Sequence, residues 1–90
     1  MIKSNFQSPE SLVLRFMREK KQLTLLLAGK KSGLKPKNID YMECGRRVIT
    51  QAEILLLLSC YNFSLEVFNE MLKIKPLNKQ AANHYFLTRT

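Results

Sequence analysis

A stretch of fifteen residues in the middle of the chain, GLKPKNIDYMECGRR, constrains the fold most. Gly33 can end one helix in the left-handed conformation. Pro36 can begin the next helix, because a proline at the first helical position gives up only an amide that has no partner there. The stretch therefore predicts a sharp turn and then a short helix from Pro36 to Cys44, which Gly45 stops.

The short helix predicted after the turn is amphipathic. Ile39 and Met42 fall on one stripe that can face a core, whereas the remaining positions are polar or charged. Its outward surface is rich in groups that form hydrogen bonds with phosphates and with the edges of bases. The outward positions are Lys37, Asn38, Asp40, Tyr41 and Cys44.

The charge of the chain is concentrated around this stretch. The sequence has 15 Lys and Arg against 7 Asp and Glu, a formal net charge of +8. Eleven of the basic and four of the acidic residues lie between Met1 and Arg47, so nearly all the surplus is in the first half. A localised basic face indicates a polyanionic partner, with DNA, RNA and an acidic membrane surface as candidates. The alternative is a generally basic protein without such a partner.

Cysteine and histidine usage argues against metal binding and catalysis. Cys44 and Cys60 are separated by fifteen residues with no CxxC pair, and His84 is the only histidine. The sequence offers no paired carboxylates in a plausible pocket, no nucleophile beside a base and no phosphate loop. We therefore predict no enzymatic activity, no small-molecule substrate, no metal and no other cofactor. Cys44 is expected to be passive unless Arg46 and Arg47 acidify its thiol.

The expected location follows from similar considerations. Two cysteines do not form a disulfide framework, which favours a reducing cytoplasm. The first ten residues, MIKSNFQSPE, contain no apolar segment of the kind found in a secretory signal. The longest wholly apolar run, Ile54 to Leu58, has five residues and is too short to span a membrane.

The rest of the chain predicts an all-α fold, because no segment alternates with the period of a strand. Residues that can cap a first turn mark most of the helices, and Glu53 three residues after Thr50 completes a capping box. Ninety residues make one domain, with a core from 8 to 73 and a C-terminal extension from 74 to 90. The first three predicted helices run from Pro9 to about Lys21, from Leu25 to Lys31 and from Pro36 to Cys44. Two more begin after the caps Thr50 and Ser64. A sixth runs from Asn78 to about Leu87, unless the chain ends as an irregular tail.

Gly29 lies inside the second predicted helix, where a glycine costs about 1 kcal/mol relative to alanine. Close approach of another helix backbone is the usual physical reason for such a glycine. Two short helices joined through a glycine turn, the second carrying polar groups, form the helix-turn-helix arrangement, which places its second helix in the major groove of DNA.

A wider set of positions supports this interpretation. They are Leu14-Arg15, Met17-Arg18-Glu19, Lys21, Leu23-Thr24, Gly33-Leu34, Ile39, Met42-Glu43, Gly45, Arg47 and the segment SLEVFNEML. This set resembles the XRE-like repressors, the family of lambda repressor and Cro. The resemblance extends without a gap from Leu14 to Leu72, about two-thirds of the chain.

The resemblance implies a compact five-helix domain of the lambda-repressor type, with a sixth C-terminal helix or tail. It implies a transcriptional regulator, with repression as the expected outcome, that binds a palindromic operator in double-stranded DNA as a homodimer. It also implies a cytoplasmic, nucleoid-associated protein of a bacterium or phage. The fifth helix often pairs with its mate in this family, which gives Phe63, Val67, Phe68 and Met71 as the expected dimer interface.

The expected DNA contacts come from the positions that match the recognition helix of the family, to which Cys44 could also belong, from the adjacent Asn38 and from the two arginines beyond the helix. The cationic members are expected to neutralise phosphates, whereas Asn38, Asp40 and Tyr41 are expected to reach base edges, a thymine methyl or a phosphate. Glu43 is expected to serve the fold by pairing near Arg47 or the helix ends. The full set is Lys35, Pro36, Lys37, Asn38, Asp40, Tyr41, Arg46 and Arg47.

The second helix departs from the family pattern. Leu25 stands where a phosphate-contacting glutamine is common, so that contact is expected to be missing. Leu26 and Leu27 stand where polar residues are usual, and Ser32 replaces an apolar core residue. Since an apolar stripe is more often core than interface, we expect these leucines to be buried, through a rotated helix or under the segment from Leu77 onward.

A protein-interaction module on the same scaffold is the alternative function. Such a module, for example an antitoxin or an accessory factor, would bind DNA only secondarily. The leucines of the second helix are its support, and it predicts an obligate heteromeric complex.

Overall fold

Six helices and their connections make up residues 8–89, the part of the chain that the computed structural model describes, with side chains as far as Thr88. This part contains no strand, so the predicted all-α class is confirmed, and none of its helices has the length and apolar character needed to cross a membrane. Residues 1–7, on which the prediction of no secretory signal mainly rests, lie outside it. The helices are α1 (Pro9–Lys20), α2 (Leu25–Ser32), α3 (Pro36–Cys44), α4 (Gln51–Tyr61), α5 (Leu65–Leu72) and α6 (Lys79–Arg89).

The helices begin at the capping residues that the sequence predicted. The side-chain oxygens of Ser8, Thr24 and Ser64 each accept a hydrogen bond from an amide in the following first turn. The predicted capping box also forms, because the Glu53 amide donates to Thr50 Oγ1 at 3.2 Å and the Thr50 amide donates to Glu53 Oε1 at 3.0 Å. These bonds satisfy amides that have no partner within the helix.

The buried apolar side chains come from all six helices, and α4 contributes the largest share. One face of α4 is buried in this core. Leu55 and Leu56 nevertheless stay exposed on its other side. The buried apolar residues are Val13, Leu14, Met17, Ala28, Ile39, Met42, Ile54, Leu57, Leu58, Tyr61, Phe68, Met71, Ala82 and Phe86.

The C-terminal segment forms a helix, α6, which packs against α1 and α5. Phe86 is buried, and its ring centre lies 5.6 Å from that of Phe63. Tyr85 donates a hydrogen bond of 2.6 Å to Glu70 on α5. The Lys20 ammonium at the end of α1 lies 5.5 Å from the centre of the Phe86 ring, a cation–π contact. The extension is therefore part of the packed domain.

The predicted burial is wrong for two of the three α2 leucines. Leu26 is 59% exposed and Leu27 is 43% exposed. The reason is the orientation of α2, which buries Ala28 and Gly29 and packs Leu25 against the core. Since α6 packs on α1 and α5, it leaves this side of α2 uncovered.

The predicted dimer interface is also wrong at two of its four positions. Phe68 and Met71 are buried inside the single chain, where α5 packs against α1, so a second copy has no access to them. Phe63 and Val67 are partly buried against the same core, and the Phe63 ring also contacts α6.

Candidate nucleic-acid interface

The turn between α2 and α3 has the geometry that the sequence predicted. Gly33 adopts the left-handed conformation with φ of 83°, which a glycine reaches without a steric penalty. Its amide donates a hydrogen bond of 2.8 Å to the Gly29 carbonyl and closes α2. Pro36 then occupies the first turn of α3. The turn fixes the direction in which α3 leaves α2.

Gly29 permits the close packing of this turn on α2. A Cβ atom at Gly29 would lie 2.8 Å from the Leu34 carbonyl oxygen and 2.9 Å from Cγ of Pro36. Real Cβ atoms essentially never approach a backbone atom that closely. The expected close approach is therefore confirmed, but the neighbour is the turn and the start of α3. Pro36, which was predicted to contact DNA, has its ring over α2.

A buried ion pair holds α3 from behind. Arg18 on α1 donates two hydrogen bonds to the Glu43 carboxylate, at 2.7 and 2.9 Å, and a third of 2.7 Å to the Leu23 carbonyl. The side chains of Arg18 and Glu43 are only 13% and 5% exposed. The hydrogen bond to Glu43 raises the pKa of Arg18, which keeps the guanidinium charged. Ser11 adds a second link, since its hydroxyl donates to the Met42 carbonyl at 2.5 Å.

Glu43 therefore serves the fold, as predicted, but its partner is Arg18. Arg47, one of the partners expected for Glu43, instead donates a hydrogen bond to Glu53 on α4. The backbone hydrogen bond from Thr50 lowers the pKa of Glu53, and Arg47 lowers it further. Arg47 is thus held at the start of α4. It is therefore less available for the predicted phosphate contact than its exposed neighbour Arg46.

The outward surface of α3 brings three of the predicted residues together. The Lys37 ammonium and the Arg46 guanidinium carbon lie 5.9 and 5.8 Å from the centre of the Tyr41 ring. Lys37 and Arg46 are exposed, and Tyr41 is half-buried beneath them. Lys35 is exposed at the start of the helix, and Asn38 is partly exposed. We call this set, Lys35, Lys37, Asn38, Tyr41 and Arg46, the α3 surface.

Asp40 and Cys44 interact with each other beside the α3 surface. The Cys44 thiol lies 3.5 Å from a carboxylate oxygen of Asp40 in donor geometry. Burial raises the pKa of Cys44, as does Asp40, and Arg46 opposes this rise only in part. The condition for a redox-active Cys44, an acidified thiol, is therefore not met. Residues 8–89 also contain no group of three or more His, Cys, Asp or Glu side chains that could hold a metal ion.

Sequence reasoning missed a depression beside Arg46. It has a volume of about 560 Å³ and lies where the first turns of α1 and α4 meet the loop after α3. Its polar lining includes Ser8, Gln51 and both arginines of the loop, and it also contains Glu10. The caps Ser8 and Thr50 mark the two helix ends in the sequence, but only tertiary packing brings those ends together.

Comparisons with known proteins find no counterpart for this arrangement. A scan against protein-family models finds no match to the chain. Searches of curated proteins and of solved structures find no match either. The relation to the XRE-like repressors therefore stays a prediction, based on the residues that carry the resemblance.

Proposed function

We propose that this protein is a sequence-specific transcriptional regulator, with repression as the expected outcome, that inserts α3 into the major groove of double-stranded DNA. The observation that carries the proposal is the α3 surface. Its exposed cations lie around the amide of Asn38 and the phenol of Tyr41. Cations bind phosphates, whereas amides and phenols can form hydrogen bonds with base edges. A duplex offers both phosphates and base edges, so it matches this combination better than a simple anion does.

The support behind α3 suits such a role. Discrimination between bases needs side chains held close to one geometry, because a misplaced donor loses its hydrogen bond. The ion pair of Arg18 with Glu43 and the bond from Ser11 to the Met42 carbonyl fix the inner side of the helix. The outer side chains can then meet a groove without reorganisation of the fold.

Within the proposal, the two ends of the α3 surface differ in role from its middle. Lys35 precedes the helix and Arg46 follows it, so both are positioned to neutralise phosphates on either side of the groove. Lys37, Asn38 and Tyr41 lie on the helix itself and are the proposed base-reading residues.

The proposal includes a homodimer on an inverted repeat. Two copies related by a two-fold axis can place their α3 helices in successive major grooves, roughly 34 Å apart. Because Phe68 and Met71 are internal, the dimer contact must use other residues.

Selection of bound fragments from random genomic DNA tests the proposal. Full-length protein should recover an inverted repeat with half-sites about one helical turn apart. A titration with salt on the best fragment should then give a steep loss of affinity, with a slope of about −0.9 for each phosphate contacted. Recovery of unrelated fragments of equal affinity would reject sequence-specific reading.

A protein-interaction module with secondary DNA binding is the second candidate. The exposure of Leu26 and Leu27 favours it, since these side chains lack a partner within residues 8–88 large enough to bury them. It predicts an obligate heteromeric complex and no preference among fragments in the same selection.

A further inference from the structure

We infer that a second surface, formed by Leu26, Leu27 and Leu56 together with Lys30 and Lys31, binds an amphipathic helix of another protein whose apolar stripe is flanked by acidic residues. We call these five residues the leucine–lysine surface. The inference does not depend on the proposed DNA binding, because it concerns the outer side of α2 and α4. It gives a specific partner to the leucines that support the second candidate.

The two helices that carry this surface are in direct contact. The Cys60 sulfur on α4 lies 3.8 Å from the Ala28 carbonyl oxygen on α2, in donor geometry. Burial raises the pKa of Cys60, and Lys31 is close enough to oppose that rise. Leu56 precedes Cys60 by one helical turn and lies on the same side of α4. Leu27 and Lys31 are likewise one turn apart on α2. The side chains of both helices therefore flank one seam, the line along which α2 and α4 meet.

The apolar part of the surface consists of three exposed leucines. Leu26, Leu27 and Leu56 are 59%, 43% and 41% exposed, although each is a large apolar side chain. Single exposed leucines are common on protein surfaces, but a group of them beside one helix seam marks a binding site for another molecule. Val48 and Leu87 are more exposed still, but Val48 lies on a loop and Leu87 on α6, so Leu87 can serve as a control.

The charge of the surface selects the occupant. The sequence of α2, LLLAGKKS, contains two lysines and no acidic residue. The only acidic residue of α4 is Glu53, which is bound to Arg47 and to the Thr50 amide. A second copy would therefore set lysines against lysines, in a chain of net charge +8. A helix with carboxylates beside its leucines complements both the apolar and the cationic parts.

The turn into α3 and the helix α4 meet different sides of α2. Gly29 faces the turn, as the approach of Leu34 and Pro36 shows. Leu27 and Lys31 lie on the side of α2 nearer α4, and Leu26 and Lys30 lie on the outer side between them and Gly29. A helix bound along the seam of α2 and α4 therefore leaves Lys37 and Tyr41 open, and its binding can be measured without DNA.

Two synthetic peptides test the inference directly. The first is a helical peptide of roughly five turns with a leucine stripe and glutamates on both sides of it, and the second has every glutamate replaced by lysine. Titrated into isotope-labelled full-length protein, the acidic peptide should shift the amide signals of α2 and of the second half of α4. It should bind roughly tenfold more tightly than the basic peptide, because its carboxylates meet Lys30 and Lys31.

A double variant and a matched control complete the test. Leu26→Ser with Leu27→Ser should weaken the acidic peptide roughly tenfold or more, whereas Leu87→Ser on α6 should leave its affinity unchanged. Both proteins should keep the helical circular dichroism of the parent, because all three leucines are exposed. No binding of the acidic peptide, equal binding of both peptides, or unchanged binding by the double variant would overturn the inference. Self-association that disappears in the double variant would overturn it too, since a second copy would then be the occupant.

Discussion

The two helices on either side of the Gly33 turn are alike in form but present opposite chemistry. α2 has eight residues, α3 has nine, and each ends at a glycine in the left-handed conformation. α2 exposes Leu26 and Leu27 and carries lysines toward its end. α3 buries its apolar side chains and exposes polar and cationic ones.

This difference shows that helix form alone does not decide what a surface can bind. α3 is fixed from behind by a buried ion pair with α1, so its polar side chains are presented in one geometry. The outer side of α2 carries mainly apolar contacts, which depend less on exact direction. The first arrangement suits base reading, and the second suits association with a protein helix.

Removal of the buried ion pair gives the largest expected effect. Arg18→Ala should lower the free energy of unfolding by about 3–5 kcal/mol, because the buried Glu43 carboxylate loses both hydrogen bonds from the guanidinium. Arg15→Ala is the matched control, since Arg15 forms an exposed pair with Glu19 on the same helix and should cost no more than about 1 kcal/mol. Urea unfolding followed by circular dichroism measures both. Similar small losses would mean that α3 is not anchored in this way.

The two glycines of α2 and its turn should respond differently to substitution. Gly29→Ala should cost up to about 2 kcal/mol, since a clash of roughly 1–3 kcal/mol is offset by only about 1 kcal/mol of helix propensity gained. Gly33→Ala has open space around its Cβ but a strained φ, at a cost of about 1 kcal/mol. Gly33→Asn should recover part of that loss, because asparagine tolerates the left-handed conformation. Thermal melts rank the three, and a stabilising Gly29→Ala would contradict the close packing of turn and helix.

The start of α4 should make a contribution to stability that depends on pH. The folded state lowers the pKa of Glu53, so its contribution to stability is complete above the ordinary value and disappears as pH falls through the lowered one. Glu53→Gln should therefore cost about 1 kcal/mol at pH 7 and progressively less below about pH 4. Glu66→Gln, on an exposed side chain of α5, is the control. A difference that does not change with pH would show that the carboxylate charge is not what holds Arg47.

The outer leucines of α2 should have the smallest effect on stability. Leu26→Ser should change the free energy of unfolding by no more than about 0.5 kcal/mol, because the side chain is mostly in water already. Leu25→Ser should cost more, since Leu25 packs against the core. Equal costs in chemical denaturation would mean that α2 is rotated relative to the arrangement described above.

Local features of the fold could be predicted because they depend on residues that are close in sequence. The caps Ser8 and Thr50, the turn at Gly33 and the start of α3 at Pro36 all belong to this class. The period of the helix likewise predicted which positions of α3 face outward, apart from Pro36, whose ring packs over α2.

Long-range pairing could not be predicted in the same way. From the sequence, several cations could have been the partner of Glu43. Only the packing of α1 behind α3 brings Arg18, twenty-five positions away, to it. The exposure of Leu26 depends on where α6 docks, and that docking rests on Phe86 and Tyr85 meeting α1 and α5. Tertiary contacts of this kind leave no local pattern in the sequence.

The central claim is that the middle of the α3 surface reads bases while its ends bind phosphates. Its most direct test is the affinity of three variants, Lys37→Ala, Tyr41→Ala and Arg46→Ala, for the selected duplex and for random DNA, with Lys79→Ala on α6 as the control. We predict that the first two lose roughly 1–3 kcal/mol on the selected site and far less on random DNA. Arg46→Ala should weaken both duplexes alike and reduce the salt slope by about 0.9. Equal losses on both duplexes for all three variants would contradict the claim and leave only non-specific contact.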